Sequence, residues 1–272
     1  MNTTAMFDIA GKVALITGGG QGIGLATAKE LLKNKLKAVA IIDINEVIGQ
    51  KAVREIQEEF GEGKAIFLNY DVSIRTQFEE AFKATINAFQ HLDVVINNAG
   101  IVNEEDWERT IDVNLTGTIN GTLLALENYL PQSKIGEEAV ILNVSSIGAF
   151  TFFAATPTYN ATKCGIISVT CCLGHPLHYE RKKVKVMAVC PGVTETDLFN
   201  RKNVKPLNEN CDKLGDEFQR TFPHEIQTAE DVARGAVHII KEGQSGSIWI
   251  AENKNPPYEV DYVAMQNIRR YN

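Results

Sequence analysis

A cluster of glycines near the start of the chain limits the folds that this sequence can adopt. The apolar run at residues 13–16 predicts a buried strand, residues 22–33 predict an amphipathic helix, and Thr17-Gly18-Gly19-Gly20-Gln21-Gly22-Ile23-Gly24 joins them. Glycines let the backbone turn sharply and approach a pyrophosphate, while the N-terminus of the helix offers unpaired N–H groups and a partial positive charge. Glycine clusters also occur in ordinary tight turns. The position between a buried strand and a helix favours a dinucleotide-binding loop.

The following sequence alternates short β-branched runs with longer amphipathic stretches, which is typical of βαβ units around a parallel sheet. Strands are predicted near residues 13–16, 38–43, 65–70, 93–96, 139–144, 184–189 and 246–250. Helices are predicted near 22–33, 46–60, 78–90, 107–130, 159–179 and 228–241, with a break near Pro176 because proline lacks the backbone N–H. This pattern predicts an α/β fold of the Rossmann type, with a doubly wound, seven-stranded, mostly parallel sheet and helices on both faces.

One segment departs from the alternation. Residues 195–226 contain scattered apolar residues without a clear period, and long irregular segments often serve as active-site lids. No internal repeat, low-complexity tract or linker divides the chain. We therefore expect residues 1–272 to form one catalytic domain with a substrate lid at 195–226.

Charge and composition narrow the classes of partner. The 27 Lys and Arg against 34 Asp and Glu give a net charge of −7, which argues against nucleic acid and acidic lipid surfaces. No apolar run approaches the ~20 residues that span a bilayer, and the N-terminus does not resemble a signal peptide. The five cysteines lack metal-ligand spacing. We expect a cytoplasmic protein with no membrane span, no nucleic-acid partner and no metal site.

A carboxylate at the end of the second strand indicates which dinucleotide would bind. Asp43 lies about 20 residues past the glycine loop, where a carboxylate would accept hydrogen bonds from the adenosine ribose and repel a 2′-phosphate. No Arg or Lys occurs in the glycine loop or directly after Asp43. The sequence therefore favours NAD over NADP.

Five short motifs give the chain a family resemblance. They are Thr17-Gly18-x-x-x-Gly22-Ile23-Gly24, Asp71-Val72, Asn97-Asn98-Ala99-Gly100, Tyr159-x-x-x-Lys163 and Pro191-Gly192. In this order and at this spacing they resemble the short-chain dehydrogenase/reductase family, over nearly the whole chain. Residues 97–110 and the strand at 246–250 resemble an NAD-dependent alcohol dehydrogenase branch of that family, and residues 248–249 also resemble its insect-type alcohol dehydrogenases.

The resemblance implies a catalytic set of Asn114, Ser146, Tyr159 and Lys163. Tyr159 and Lys163 are four residues apart and share one face of a helix. A phenol has an ordinary pKa of about 10, and a lysine ammonium and a cationic nicotinamide beside it would both favour the phenolate. The family pattern makes Tyr159 the acid/base, Ser146 the group that holds the substrate oxygen, and Asn114 a support for proton transfer to Lys163.

The same resemblance implies the cofactor contacts. The glycine loop would hold the pyrophosphate, Asp71 and Val72 the adenine, and residues 191–196 the nicotinamide. The full predicted NAD site is Gly18, Gln21, Gly22, Ile23, Gly24, Asp43, Ile44, Asp71, Val72, Asn98, Ala99, Gly100, Tyr159, Lys163, Pro191, Gly192, Val193, Thr194 and Thr196.

Substrate contacts are expected from Ser146, Thr156 and Tyr159. The related branch has a glutamine that binds the reacting hydroxyl at the position of Thr156. Aromatic and aliphatic residues follow the serine and recur in the expected lid: Phe150, Phe152, Phe153, Leu198, Phe199, Leu207, Phe218 and Phe222. They indicate either a pocket for a lipophilic secondary alcohol (eicosanoid, fatty, terpenoid or steroid) or side chains that only pack the lid onto the core.

The resemblance also implies a homodimer through the long helices that begin near Trp107 and Tyr159. Small residues at Ala161, Cys164, Gly165 and Ser168 would permit close helix packing. The predicted activity is reversible, NAD-dependent oxidation of a secondary alcohol to a ketone. Two alternatives remain at this point, an NADP-dependent carbonyl reductase and a binding protein that has lost catalysis.

Overall fold

The computed structural model describes residues 6–151, 153–200, 204–221 and 225–262, and only the backbone of Phe199, Phe218, Gln219 and Thr221. Within these ranges eight strands form one sheet in the order β3-β2-β1-β4-β5-β6-β7-β8. They are β1 Val13–Thr17, β2 Ala38–Ile42, β3 Ala65–Leu68, β4 Val94–Asn97, β5 Ala139–Val144, β6 Val184–Pro191, β7 Ile248–Ala251 and β8 Tyr258–Val260. All neighbours pair in parallel except β7 and β8. The predicted Rossmann-type α/β fold is confirmed.

The predicted number of strands was wrong by one, because β8 was missed. This strand pairs antiparallel with β7, with Val260 opposite Ile248. It has only three residues, and Tyr258 and Glu259 are exposed. A short, exposed edge strand has no buried side of its own and therefore no apolar period that a sequence pattern can reveal.

Ten α-helices lie in the described part of the chain, and three of them adjoin π-helical turns. They are α1 Gly22–Lys33, α2 Glu46–Phe60, α3 Arg75–Phe89, α4 Trp107–Ile111, α5 Gly117–Leu123, α6 Leu130–Ser133, α7 Pro157–Leu173, α8 Pro176–Lys182, α9 Glu209–Thr221 and α10 Ala229–Glu242. π-Helical turns at Asp112–Thr116 and Leu124–Tyr129 join α4, α5 and α6 into one bent rod. The break that Pro176 predicts separates α7 from α8.

Successive β1 side chains pack into two apolar layers, one on each side of the sheet. Ala14 and Ile16 belong to the layer that contains Leu31 of α1. Leu15 belongs to the opposite layer, which contains Phe78 of α3. Because both faces are covered, the central strands are apolar along their whole length, as parallel strands in doubly wound sheets usually are.

The sheet order places a crevice at the carboxyl ends of β1 and β4. Chain order takes β2 and β3 to one side of β1, whereas β4 to β7 extend to the other side. Ligands in open α/β sheets bind where the strand order reverses in this way, outside the carboxyl ends. The loops after β1 and β4 carry the glycine cluster and Asn98 to this point. No helix in the described ranges is long and apolar enough to cross a membrane.

Candidate active site

The glycine loop connects β1 to α1 at this crevice, and its geometry requires glycine at two positions. Gly18 has a φ of +60°, a left-handed conformation that glycine adopts at little cost. A Cβ on Gly24 would lie 2.3 Å from the Gly18 carbonyl oxygen. Gln21, the N-cap residue of α1, does not cap that helix with its side chain. The loop therefore presents backbone that a phosphate can approach closely.

Thr17 and Asn98 hold this loop against the end of β4. Thr17 Oγ1 accepts hydrogen bonds from the N–H groups of Asn98 and Ala99, at 2.9 and 3.0 Å. Asn98 Nδ2 in return donates to the Thr17 and Gly18 carbonyl oxygens, at 2.9 and 3.1 Å. Thr17 thus braces the turn through its side chain.

Asp43 is bound to the glycine loop itself. Its Oδ2 accepts a hydrogen bond from the Gly20 N–H at 3.1 Å, and its Oδ1 accepts one from the Asn45 N–H at 3.0 Å. Both oxygens are therefore oriented by backbone donors. The carboxylate occupies the strand end at which the sequence predicts contact with an adenosine ribose.

Asp71 has a cationic partner that the sequence analysis missed. Arg109 Nη2 lies 2.6 Å from Asp71 Oδ2, and Arg109 Nη1 donates to Ser73 Oγ at 2.7 Å. Burial tends to raise the pKa of Asp71, but hydrogen bonds from Ser73 and Arg109 outweigh it and lower that pKa. The partner lies 38 residues along the chain, and no local spacing marks the pair.

Most of the predicted NAD contacts line one open cleft of about 580 Å³. Those that line it are Gly18, Gln21, Gly22, Ile23, Asp43, Ile44, Asp71, Val72, Asn98, Ala99, Gly100 and Thr196. The predicted contacts outside this lining are Gly24, Tyr159, Lys163, Pro191, Gly192, Val193 and Thr194. Arg109 and Lys205 also line the cleft, and neither was predicted to do so.

The segment after β6 leads back towards the glycine loop. A Cβ on Gly22 would lie 3.3 Å from Thr196 Cγ2. Gln227, buried and not predicted, fixes this segment: its N–H donates to the Val193 carbonyl at 3.0 Å, and its Nε2 donates to Thr194 Oγ1 at 3.3 Å. Gln227, which directly follows the expected lid, therefore holds residues 193–196 in place.

The four predicted catalytic residues come together beside Gly100. A Cβ on Gly100 would lie 3.4 Å from Asn114 Oδ1 and 3.7 Å from Lys163 Nζ. Lys163 Nζ is 5.4 Å from the centre of the Tyr159 ring and donates to the Val144 carbonyl at 2.9 Å. Tyr159 and Ser146 are hydrogen-bonded through their side chains. The arrangement joins a phenol, a hydroxyl and an ammonium in a buried cluster next to Gly100, which lines the cleft.

Burial dominates the pKa values of this cluster. It raises the pKa of Tyr159 to about 12, against a lowering effect of the hydrogen bond with Ser146. It also lowers the pKa of Lys163 to about 8. The protein's own groups therefore do not achieve the expected lowering of the phenol pKa: Lys163 does not lower the pKa of Tyr159, and desolvation of the phenolate raises it. At neutral pH the protein alone holds Tyr159 neutral and Lys163 mainly charged.

Asn114 lies in the π-helical turn Asp112–Thr116 and is fully buried. Its side chain pairs with the Ile101 peptide: Oδ1 accepts from the Ile101 N–H at 2.8 Å, and Nδ2 donates to the Ile101 carbonyl at 2.9 Å. Nδ2 also reaches Thr162 Oγ1 on α7 at 3.3 Å. Asn114 thus connects the bent helix, the loop after β4 and the helix that carries Tyr159.

The residues present fit a dinucleotide. Gly18 and Gly24 approach each other so closely that a Cβ on Gly24 would clash, and their backbone forms a concave surface, the glycine cradle, that can hold a phosphate. The cleft extends from this surface past Asp43 to Gly100. Together the Rossmann-type sheet, the glycine cradle and the Ser146, Tyr159 and Lys163 cluster define a dinucleotide-dependent oxidoreductase.

Comparison with known proteins agrees with this class. A family model described as short chain dehydrogenase matches residues 12–207. The chain is 37% identical to 15-hydroxyprostaglandin dehydrogenase (NAD(+)) of Rattus norvegicus, over 86% of this chain and 88% of that protein. It is 28% identical to alcohol dehydrogenase 1 of Ceratitis capitata, over 87% of this chain and 94% of that protein. A crystal structure of 3-ketoacyl-(acyl-carrier-protein) reductase from Brucella melitensis, complexed with NADH, superposes with a TM-score of 0.73 at 27% identity and covers 90% of this chain and 98% of that one.

The chain belongs to the short-chain dehydrogenase family. The family predicted from the five motifs is thereby confirmed, as is its similarity to NAD-dependent hydroxyprostaglandin and insect alcohol dehydrogenases.

Proposed function

We propose that this protein oxidises a lipophilic secondary alcohol to a ketone, reversibly, with NAD as the hydride acceptor. The observation that carries the proposal is the buried, hydrogen-bonded pair of Ser146 and Tyr159, with Lys163 Nζ 5.4 Å from the phenol ring. We expect a single substrate oxygen to contact both hydroxyl groups.

The chain's own residues handle the proton and the position of the alcohol. Ser146 Oγ, itself held by the Gly148 N–H at 3.0 Å, orients the alcohol oxygen, and the Tyr159 oxygen takes its proton. NAD, when bound, supplies the acceptor for the hydride and a positive charge that favours the phenolate. Lys163 and Tyr159 would hold its nicotinamide ribose, and Asn114 fixes the helix turn behind them.

Asp43 supports NAD as the cofactor. Its carboxylate is fixed by the Gly20 and Asn45 N–H groups at the cleft, where it would repel a 2′-phosphate. The NAD(+) in the name of the rat relative agrees with this choice. We expect a lower KM for NAD than for NADP, and a preference for NADP would contradict the argument.

The lipophilic substrate class is supported by apolar groups near the cleft. Ile101, Val102 and Leu198 line it. Phe153 is buried, and Phe150 packs against Tyr262, so these two aromatic rings take part in core packing. Phe152 and Phe222 lie outside the described residues. Thr156 Oγ1 is buried without a hydrogen-bond partner in the described structure, which makes it a candidate contact for the reacting hydroxyl.

We propose that residues 195–226 act as the substrate lid. Leu198 and Lys205 line the cleft, and the segment contains a 3₁₀ turn at Asp197–Phe199 and the helix α9. The α9 sequence is mostly polar, but its few apolar residues, Cys211, Leu214 and Phe218, recur at helical spacing, a period that the sequence analysis missed.

We also propose a homodimer through α7. Ala161 and Ser168 are exposed on this helix, whereas Cys164 contacts Ala149 and a Cβ on Gly165 would meet Leu115. The first two are therefore the residues open to a second copy. Light scattering should give the mass of a dimer for the wild type and of a monomer for Ser168→Arg; a monomeric wild type would contradict the proposal.

The catalytic assignment is tested by Tyr159→Phe, with Tyr179→Phe as the matched control. Tyr179 also has a hydrogen-bonded hydroxyl, but its partner is Glu138, far from the cleft. NADH absorbance is followed with a 15-hydroxyprostaglandin, an aliphatic secondary alcohol and a hydroxysteroid. Removal of an acid/base should lower kcat by about 10²- to 10⁴-fold, while the Kd for NAD changes little.

Unchanged turnover in Tyr159→Phe would refute the role of the phenol. No turnover of any of the three alcohols by the wild type, combined with tight NAD binding, would favour a binding protein that has lost catalysis.

A further inference from the structure

Glu104 is a fully buried carboxylate that the family motifs do not include. Its two oxygens accept hydrogen bonds from the start of α7, the helix that carries Tyr159 and Lys163. Oε2 accepts from the Thr158 N–H at 3.0 Å, and Oε1 accepts from the Tyr159 N–H at 2.9 Å. A buried carboxylate is costly unless it is well hydrogen-bonded, and the N-terminus of a helix is a favourable place for it.

These bonds replace the cap that the helix would otherwise make locally. Thr156 is the N-cap residue of α7, yet its hydroxyl makes no capping bond. Pro157 follows and has no N–H, so the Thr158 and Tyr159 N–H groups are the first that require an acceptor. Glu104 supplies both acceptors from another loop, and Thr156 Oγ1 keeps no hydrogen bond among the described residues.

The loop that carries Glu104 is attached on two further sides. At one end, the Ile101 peptide is paired with the Asn114 side chain. On its outer edge, the Glu104 N–H donates to the Lys205 carbonyl at 2.8 Å, and the Lys205 N–H donates to the Val102 carbonyl at 3.4 Å. Lys205 belongs to the proposed lid and lines the cleft.

We propose that Glu104 is a positioning residue that fixes Tyr159 relative to Asn114 and to Lys205 of the proposed lid. The loop 101–104 contacts both Lys205 and the start of α7, so it couples the position of the lid to the position of the catalytic helix. This inference rests on the proposed function in so far as Tyr159 is the acid/base.

The substitution Glu104→Gln is the informative one because it keeps the size of the side chain. An amide has one acceptor oxygen, so its NH₂ group must face one of the two N–H donors of α7. One buried N–H then loses its partner. Asp231→Asn is the matched control, since the Asp231 carboxylate also caps a helix: it accepts from the Thr228 N–H at 2.8 Å at the start of α10, away from Tyr159.

With an alcohol that the wild type oxidises, Glu104→Gln should lower kcat by ~10- to 100-fold, since small misplacement of a reacting group has effects of this size. The KM for NAD should stay within about twofold, because the glycine loop and Asp43 are untouched. Asp231→Asn should lower the Tm and leave kcat unchanged. An unchanged kcat in Glu104→Gln would overturn the proposal. It would also be overturned if kcat fell in both variants in proportion to the decrease in Tm.

Amide hydrogen exchange tests the link to the lid without any activity assay. Lys205→Pro removes the Lys205 N–H, and Lys205→Ala keeps it; position 205 precedes Pro206 and is biased towards extended backbone that proline also adopts. In NAD-bound protein, Lys205→Pro should increase exchange at the Thr158 and Tyr159 amides, and Lys205→Ala should not. Equal exchange in the two variants would refute the coupling, whether or not the Tyr159→Phe result supports the proposed function.

Discussion

Substitution of Lys163 by methionine should stabilise the folded protein at neutral pH while it removes catalysis. Lys163 is 3% exposed, and its Nζ donates to the Val144 carbonyl. Burial lowers its pKa from 10.5 to about 8. A shift of this size means that the folded state disfavours the charged lysine by about 3 kcal/mol. Methionine has a similar length and no charge, so it avoids this cost of burial.

The gain is reduced by the hydrogen bond that is lost. A buried carbonyl left without its donor costs about 1–3 kcal/mol, so the expected net stabilisation at pH 7 is at most about 2 kcal/mol. The direction in which the stability changes with pH follows from the number of protons that each state binds. Between pH 8 and 10.5 the unfolded lysine holds its proton and the folded one has released it, so the stability of the wild type rises with pH in this window. The advantage of Lys163→Met should therefore shrink as the pH rises from 8 to 10.5.

Urea denaturation of the protein without added NAD, at pH 7 and at about pH 10, measures both effects. Lys185→Met is the matched control: this lysine is also buried, but its Nζ lies 3.2 Å from Glu138 Oε2. Its loss leaves a carboxylate without its ion-pair partner, so that variant should be destabilised by about 2 kcal/mol or more. A Lys163→Met protein that is less stable at pH 7, or whose stability difference from the wild type is the same at both pH values, would refute the reasoning.

Three further substitutions address the cofactor site and the substrate site. Gly24→Ala places a Cβ 2.3 Å from the Gly18 carbonyl oxygen, so calorimetry should show the loss of NAD binding; binding within about threefold of the wild type would contradict the cradle. Arg109→Leu removes the 2.6 Å ion pair with Asp71, and kinetics should show a several-fold higher KM for NAD at unchanged kcat, whereas an unchanged KM would show that the pair does not orient the adenine site. Thr156→Val removes a buried hydroxyl that has no described partner, so the folded protein should keep or gain stability while the KM for the alcohol rises; an unchanged KM would exclude Thr156 from the substrate site.

Local patterns were sufficient to predict the sheet and the glycine loop. The strand β1 is apolar on both faces because helices cover both. Gly18 is required by its left-handed φ, and Gly24 is required by the Gly18 carbonyl six residues earlier. Tyr159 and Lys163 lie one turn apart on α7, so their proximity also follows from spacing. Each of these predictions depends on a period or an offset that the sequence displays directly.

The contacts that hold the site together join residues far apart in the sequence, so no local period or offset reveals them. Glu104 bonds to an amide 55 residues later, and Gln227 bonds to Thr194 33 residues earlier. One signal for the first could have been found: the start of α7 reads Thr156-Pro157, and N3 is Tyr159 rather than the Glu or Gln of a capping box. A helix that lacks a local cap requires an acceptor from elsewhere, although the sequence does not say from where. The pKa of Tyr159 also depends on burial, which only the folded chain defines.

The bond from the Gly20 N–H to Asp43 Oδ2 links cofactor choice to the shape of the phosphate loop. A substitution at Asp43 that admits a 2′-phosphate also removes the acceptor that holds Gly20, and a Cβ on Gly20 would lie 2.8 Å from that same oxygen. Neither Gly20 nor Asp43 can therefore be substituted without disturbing the other. A route to an NADP-dependent form of this protein must therefore change the loop and the strand end together, and single substitutions at Asp43 should weaken NAD binding before they permit NADP binding.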